Sequence, residues 1–231
     1  MVKNSLDMLG RVEDVEDYDP EPRWPAIIAV LAVGGLYMAL PNELTLGPLW
    51  RWLFPSVVLA LLIPGVVSHH TGRHRLNTIF GFTVDLLLTA ELIISVILLV
   101  GALPTMKDSQ QLLRSAAALW ITNILVFALW YWRLDAGGPN QRDARAGHCD
   151  GDLLFPQMTM TEQALREAGQ EDWSPNFVDY LFLAFNTSTA FSPTDVPVLA
   201  RWAKVLMMLQ SLLSLLIVAL LAARAINIQG Q

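Results

Sequence analysis

The sequence predicts an all-α fold, a polytopic bundle of transmembrane helices with five or six membrane segments. Of the 231 residues, 54% are hydrophobic and 16% are charged, whereas an ordinary soluble domain carries about 25% charged residues. The mean hydropathy is +0.43. The apolar residues also gather into stretches close to the ~20 residues that a helix needs to cross a bilayer. Charged residues, proline or glycine separate these stretches, which is the pattern of a multi-span membrane protein.

The first 132 residues divide into a polar tail and four predicted spans. Segment 1–24 holds seven acidic residues and lacks hydrophobic periodicity, so we expect a solvated tail. A four-span bundle is predicted over 25–132. Its spans are 25–40, 49–67, 78–103 and 113–132. The fourth span ends in Trp130, Tyr131, Trp132 and Arg133, an arrangement typical of a membrane interface.

A polar loop over 133–176 separates this bundle from a channel-like region, 177–228, which contains the last predicted span at 199–223. Within the loop, we expect the apolar run 153–156 to lie on the membrane surface. The stretch 177–191 is about 22 Å long as a helix, which is short of the ~30 Å hydrocarbon core. It therefore either crosses as a sixth segment or forms a re-entrant, pore-like helix before the last span.

Positive charge bears on this choice, because cytoplasmic loops are enriched in Lys and Arg. With six crossings and a cytoplasmic N-terminus, ten of the fifteen Lys and Arg residues are cytoplasmic. A helix that re-enters from outside, with the C-terminus inside, places only four there. Helix length favours re-entry and charge favours crossing, and we give charge slightly more weight.

Several function classes find no support. The two acidic segments, 7–21 and 135–172, are not rich in basic or aromatic residues, so we predict no nucleic-acid binding. The single cysteine, Cys149, excludes an intramolecular disulfide and a four-cysteine metal site. The histidines of 68–75 have no carboxylate nearby and are better explained as part of a basic cytoplasmic loop. Three adjacent residues, His148-Cys149-Asp150, do not make a metal site. No nucleophile, base and orienting group occur at recognisable spacing, so we predict no enzyme and no cofactor.

Two acidic residues, Asp85 and Glu91, fall inside the third span. An ionised carboxylate near the middle of a span costs roughly 2.5 kcal/mol or more unless it meets water or a partner, so both are candidates for an ion pathway. Six residues along a helix amount to about 600°, so the two side chains point to different faces. The structural alternative places Asp85 close to the membrane surface, and Glu91 is then either protonated or bonded to a polar group such as Asn123. In either case Glu91 should face the bundle interior.

The stretch 180–195 resembles the pore helix and filter of potassium channels, whose signature reads T-x-T-T-V-G-Y-G-D. Thr187 and Thr189 match the two threonines, and Asp195 matches the closing aspartate. A proline and basic residues follow, as in that pattern. The pore-like residues are Asn186, Thr187, Ser188, Thr189, Ala190, Phe191, Ser192, Pro193, Thr194 and Asp195.

The match fails where potassium selectivity is made. Ser192 and Thr194 stand in place of both glycines, and Pro193 stands in place of the tyrosine. A potassium filter aims a stack of backbone carbonyls at one axis, which uses backbone angles that glycine reaches most easily. Proline fixes its own φ and restricts the residue before it. We therefore expect no four-site potassium filter.

The same segment has a plainer interpretation as a tight turn between two antiparallel spans. Asp195 or Val196 would then cap a helix that begins at Pro197. The polar side chains of 186–189 would serve as hydrogen-bonding groups between helices.

The chain as a whole resembles a widespread group of bacterial membrane proteins of unassigned function. The motifs that carry the resemblance are Asp135-x-Gly-Gly-Pro139, Leu154-Phe-Pro-Gln157, Phe177-x-Asp-Tyr-Leu181, Ala190-Phe-Ser-Pro-Thr-Asp195 and Ala223-Arg-Ala-x-Asn-Ile228. The resemblance runs from about Trp24 to Ile228. It implies a multi-span protein of the bacterial inner membrane with a channel-like C-terminal end.

Three functional hypotheses follow. In the leading one, the hydroxyls of 187–194 line a path for a monovalent cation or water in a homo-oligomer that is embedded in the lipid bilayer, with little discrimination between cations. The alternative is a non-conducting membrane scaffold or accessory protein. The third is a proton-coupled transporter that uses Asp85 or Glu91.

Overall fold

The computed structural model describes residues 21–104, 108–143, 151–171, 173–192 and 195–229. Within these residues the chain is helical, and the only β pairing is an isolated antiparallel bridge between Leu153 and Val198. The all-α prediction is therefore confirmed. The α-helices are α1 (Trp24–Ala39), α2 (Trp50–His70), α3 (His74–Ala102), α4 (Ser109–Leu134), α5 (Pro139–Asp143), α6 (Glu162–Glu167), α7 (Phe177–Thr189) and α8 (Arg201–Gln229).

Four of the described helices, α2, α3, α4 and α8, are long and apolar enough to cross a membrane, by length and composition. Helix α1 is apolar but has only 16 residues, a length of about 24 Å. Helix α7 has 13 residues, or about 20 Å. The described helices thus support a membrane protein, whereas the predicted five or six segments depend on how α1 and α7 lie in the bilayer.

Helix α4 is central, since α1, α3, α7 and α8 all pack against it. Of the four candidate spans it is the most buried, and Phe127 and Ala128 have no exposed surface. The outward faces of other helices carry large apolar side chains such as Ile63, Leu86 and Leu212, each more than 60% exposed. So much apolar surface on the outside marks a surface that water does not cover, as expected of helices that face lipid.

Local sequence signals start two of the helices. The Asp108 side chain accepts hydrogen bonds from the backbone N–H groups of Gln110 and Gln111 at the beginning of α4. At the beginning of α7, Asn176 and Asp179 form a reciprocal capping box. Both arrangements satisfy backbone donors that have no partner within the helix.

One end of the bundle, called the loop end below, is where α1 and α3 begin and where α2 and α4 end. Asn77 of α3 donates to the carbonyl of Gly65 in α2 at 2.9 Å, and Asn140, just after α4, donates to Asn77 at 3.4 Å. Arg23, just before α1, donates to Asn140 at 3.4 Å. The short helices α5 and α6 lie in the connection between α4 and α7, which starts at the loop end.

Helices α7 and α8 run parallel to each other. The Gln210 side chain donates to the carbonyl of Ala184 at 2.7 Å, and the Ser214 hydroxyl donates to the carbonyl of Ser188 at 2.6 Å. A step of four residues along α7 therefore matches a step of four residues along α8 in the same direction.

Both of these helices begin at the loop end. The Tyr180 hydroxyl donates to the Asp135 carboxylate at 2.7 Å, and the same carboxylate accepts the backbone N–H of Leu153 at 3.1 Å. Leu153 in turn forms the backbone bridge with Val198, just before α8. The chain therefore returns between α7 and α8 to the end of the bundle from which α7 started.

This geometry corrects the interpretation of 192–197 as a turn between antiparallel helices. Helix α8 begins at Arg201 and not at Pro197, and it is parallel to α7. A tight turn would reverse the chain, whereas here the segment after α7 runs back along the bundle before the next helix starts.

Two further expectations need correction. In the run 153–156, Leu153 and Phe155 are buried against the protein rather than placed on a membrane surface, and the Phe155 ring meets Tyr180 edge-on at 5.3 Å. The polar tail was expected to extend to residue 24, but Glu21 and Arg23 form ion pairs with α5. Residues 1–20 lie outside the described residues.

Candidate functional site

The pore-like residues lie at the end of α7 and in the segment after it. Residues 186–189 form the last turn of α7, and Ala190 is its C-cap. Phe191 follows with a φ of 53°, in the left-handed region that bulky residues seldom adopt and that commonly ends a helix. Residues 193 and 194 lie outside the described part of the chain.

Two of the pore-like hydroxyls point into the bundle. Thr187 and Ser188 are each 1% exposed. The Thr187 hydroxyl donates to the carbonyl of Leu183 in its own helix at 2.8 Å. The Ser188 hydroxyl accepts from the side-chain amides of Gln210 at 2.8 Å and Asn123 at 3.4 Å. Ser188 therefore joins α7 to α4 and α8 within one protomer, whereas the Thr187 hydroxyl is satisfied within α7.

Ser188 belongs to a buried polar group that we call the interhelical cluster. Gln210 is its centre, since its amide nitrogen donates to Ala184 and Ser188 while its oxygen accepts from the Tyr131 hydroxyl at 2.6 Å. The cluster joins α4, α7 and α8. Its members are Asn123, Tyr131, Ser188, Gln210 and Ser214, which are all at most 1% exposed. The sequence analysis did not single out Gln210, although a glutamine inside an apolar span is the signal that marks it.

Of the other described pore-like residues, Asn186 is half-buried and the rest face outward. Thr189, Ala190, Phe191, Ser192 and Asp195 are exposed on the protomer. The Thr189 hydroxyl donates to the carbonyl of Phe185 at 3.0 Å, and hydroxyls bonded in this way keep their oxygen free to accept. The described pore-like residues therefore comprise an inward pair, Thr187 and Ser188, the half-buried Asn186, and an outward set that begins at Thr189.

Asp85 is fully buried within the protein, and its expected position close to the membrane surface stays a prediction. Its carboxylate is paired with the guanidinium of Arg133, which lies at the end of α4. Gly81, one turn before Asp85, leaves room for this guanidinium: a Cβ at Gly81 would lie 2.9 Å from Nη2 and nearer still to Cζ. The pair offsets a charge that would be costly without a partner.

Glu91 is 5% exposed, which confirms that it faces the bundle interior. Its carboxylate accepts from the Trp50 indole N–H at 3.0 Å and from the Ser95 hydroxyl at 3.4 Å. Asn123 is not its partner, because the amide of Asn123 is directed to the interhelical cluster. Asp85 and Glu91 therefore have separate partners, in keeping with their different helix faces.

A network of charged side chains that the sequence analysis missed lies at the loop end. The Glu21 carboxylate accepts from Arg142 at 2.8 Å, from Arg23 at 3.3 Å and from the Trp132 indole N–H. Arg23 is also paired with Asp143. Burial lowers the pKa of Arg23 from its ordinary value, and the carboxylates of Asp143 and Glu21 oppose that shift. These residues are far apart in sequence, so no spacing rule links them.

Asp135, the first residue of the Asp135-x-Gly-Gly-Pro139 motif, organises the connection after α4. Its side chain has no exposed surface, and it accepts the backbone N–H groups of Asp152 and Leu153 at 2.7 and 3.1 Å and the Tyr180 hydroxyl at 2.7 Å. Arg142 donates to the Asp135 carbonyl at 3.0 Å and lies over the Tyr180 ring. Phe155 of the Leu154-Phe-Pro-Gln157 motif also contacts the Tyr180 ring. Three of the sequence motifs named above therefore meet around Asp135 and Tyr180.

The side chains of the described residues include no group of three or more His, Cys, Asp or Glu that is placed to hold a metal ion. His148-Cys149-Asp150 lies outside those residues. No family model, curated protein or solved structure matches the chain.

Proposed function

We propose that this chain is a channel-like membrane protein in which α7 is a re-entrant helix, and that it acts as a homo-oligomer. The observation that carries the proposal is the parallel course of α7 and α8, with both helices starting at the loop end. A helix that enters, a segment that returns and a long helix that then crosses is the arrangement that the pore-like sequence resembles.

The lengths of the two legs are compatible with this arrangement. Helix α7 has 13 residues and is about 20 Å long, which is less than the ~30 Å hydrocarbon core. The segment 190–200 that returns can reach about 36 Å when extended, so it can span that depth. Backbone without helical hydrogen bonds is tolerated at membrane depth where it is buried in protein or lines a water-filled cavity.

The distribution of positive charge then suggests from which side α7 enters. Among the residues whose side chains are described, the basic ones on the loop-end side are Arg23, Arg73, Arg75, Arg133, Arg142, Arg166, Arg201 and Lys204, and those toward the opposite end are Arg51 and Arg114. Cytoplasmic loops carry the excess of Lys and Arg, so we place the loop end in the cytoplasm. With five crossings, the C-terminal end of α8 is then outside.

This orientation removes the conflict between helix length and charge. In potassium channels the pore helix re-enters from outside, and the same orientation for this chain would leave only four basic residues in the cytoplasm. Re-entry from the cytoplasm places the loop end, with most of the described Lys and Arg residues, inside the cell. It also does not require the 13-residue α7 to cross the membrane.

The pore in this proposal lies between protomers. The inward pair, Thr187 and Ser188, is already used in packing, so the group that we propose for contact with an ion or water is the exposed hydroxyl of Thr189 in the outward set. Hydroxyls replace part of the hydration shell of a monovalent cation without strong discrimination. The site is complete only when several copies bring this set together.

Re-entry is tested by labelling single cysteines in intact cells with a maleimide that does not cross membranes. In a Cys149→Ser background, the reporters are Glu171→Cys before α7, Leu199→Cys before α8 and Glu43→Cys at the opposite end. Re-entry predicts that the reporters at 171 and 199 are protected together and that the one at 43 is labelled. If one of the reporters at 171 and 199 is labelled and the other is protected, α7 crosses the membrane and the proposal is wrong.

Conduction is tested by cation flux into proteoliposomes. Thr189→Val removes an outward hydroxyl, and we expect the rate to change by about fivefold, the factor that corresponds to one hydrogen bond of ~1 kcal/mol. Thr83→Val is the matched control, because Thr83 is also exposed and also donates to a carbonyl four residues earlier. Equal rates for the two variants would remove Thr189 from the path.

A second candidate function, a non-conducting scaffold or accessory protein, is supported by the interhelical cluster. Ser188 and its partners are closed within one protomer, as expected of groups that join helices. This candidate predicts a monomer in detergent and no flux of any cation, and a ring-shaped oligomer with flux contradicts it.

A further inference from the structure

A cavity of about 440 Å³ lies between α1, α2, α3 and α4, separate from the pore-like residues. Its volume is in the ~300–1,000 Å³ range of ligand sites. Most of its wall is apolar and is formed by residues that include Ala26, Val30, Leu62 and Val84. The cavity extends along the helices, where a hydrocarbon chain would meet only apolar side chains.

The polar lining of the cavity is collected at the loop end. Arg23, His69, Asn77 and Arg133 line it, and these residues lie just before α1, at the end of α2, at the start of α3 and at the end of α4. A cavity that is apolar along the helices and polar at their ends has the polarity of an amphiphile. In a membrane, such a site places a head group at the interface and a tail in the hydrocarbon region.

The charges that face the cavity are arranged for an anion. Arg133 is paired with Asp85 and Arg23 is paired with Asp143, and neither of these carboxylates lines the cavity. Arg23 is also paired with Glu21, which does line it. The two guanidinium carbons lie 5.4 and 5.6 Å from the ring centre of Trp132, so both cations are in contact with the same indole. Glu21 is the acidic residue in the lining.

A guanidinium that is already oriented by a carboxylate on one side keeps donors for an anion on the other. Arg133 uses Nε and Nη2 for Asp85, and its Nη1 lies over Gly81, which also lines the cavity. Arginine binds phosphate and carboxylate groups through several such donors at once. The fixed position reduces the entropy that is lost when a ligand binds.

We propose that this cavity binds one anionic membrane lipid, whose phosphate lies at Arg133 and Arg23 and one of whose chains lies along Ala26, Val30 and Leu62. Basic pockets between transmembrane helices on the cytoplasmic side bind such head groups, and the loop end carries most of the described Lys and Arg residues. The inference is independent of whether the protein conducts ions.

The test uses the purified full-length protein in a neutral detergent and titrates it with lipids while native mass spectrometry counts the bound molecules. The probes are phosphatidylglycerol and phosphatidylcholine with identical chains, and inorganic phosphate. We expect phosphatidylglycerol to bind as one molecule and at least tenfold more tightly than phosphatidylcholine. Equal binding of the two lipids overturns the proposal, and phosphate that competes as well as the lipid shows an anion site without a lipid tail.

Three variants locate the site. Ala26→Trp and Leu62→Trp fill the cavity, and each should reduce the affinity for phosphatidylglycerol at least tenfold. Leu86→Trp is the matched control, because Leu86 is exposed on the outer face of α3 and does not line the cavity. The double variant Asp85→Asn with Arg133→Gln removes the cation together with its counter-ion and should abolish the preference for the anionic lipid. If Ala26→Trp and Leu62→Trp fold and bind phosphatidylglycerol as tightly as Leu86→Trp does, the lipid lies elsewhere and the proposal fails.

Discussion

Gly81 provides a direct test of how the buried Asp85–Arg133 pair is accommodated. In Gly81→Ala, the new Cβ would occupy the space of the Arg133 guanidinium. The guanidinium must then shift, and we expect this shift to separate it from Asp85, which has no exposed surface. Breaking a buried ion pair costs about 3–5 kcal/mol, whereas alanine favours the helix over glycine by about 1 kcal/mol. We expect a net loss of about 2–4 kcal/mol in the free energy of unfolding.

The measurement is reversible unfolding of the purified protein in mixed micelles, followed by tryptophan fluorescence. The control is Gly34→Ala in α1, where a Cβ meets no atom within 4 Å, so this change should be neutral or stabilising. A cycle with Asp85→Asn plus Arg133→Gln separates the cause: without the ion pair, Gly81→Ala should cost less than it does in the wild type. If Gly81→Ala is as stable as Gly34→Ala, or if the cycle shows no coupling, the reasoning is refuted.

Three other predictions concern the remaining polar sites. Glu91→Gln keeps an acceptor for Trp50, so its free energy of unfolding should be within about 1 kcal/mol of the wild type, whereas Glu91→Leu leaves the indole N–H unpaired and should lower that free energy by about 1–3 kcal/mol. A change in the pH dependence of flux in Glu91→Gln would instead support proton transport. Gln210→Leu removes the centre of the interhelical cluster and should cost about 1–3 kcal/mol, and an unchanged stability would contradict a packing role for Ser188. Asp135→Ala removes the acceptor of two backbone N–H groups and of the Tyr180 hydroxyl, so the segment 151–171 should become more sensitive to limited proteolysis, and unchanged cleavage would show that other contacts hold it.

The motifs at 135–139 and 177–181 are visible in the sequence, but the contact between them is not. Asp135 and Tyr180 belong to motifs 45 residues apart, and the two residues meet because α4 and α7 pack against each other. Glu21, Arg142 and Asp143 were missed for the same reason, since a charged residue in a polar segment looks solvated until the fold supplies a partner. The position of the 153–156 run was misjudged because an apolar sequence fits a membrane surface and a protein core equally well.

The sequence by itself determined the all-α class, the apolar helices and the inward position of Glu91, because these depend on composition, helix length and the cost of an ionised group in lipid. It also identified the pore-like segment, but as one continuous set of residues. Only the tertiary structure decided that Thr187 and Ser188 turn into the bundle while Thr189 and Ser192 turn outward, and that the chain returns to the loop end before α8. Those features depend on long-range contacts, such as Gln210 with Ala184 and Val198 with Leu153, which no local pattern in the chain encodes.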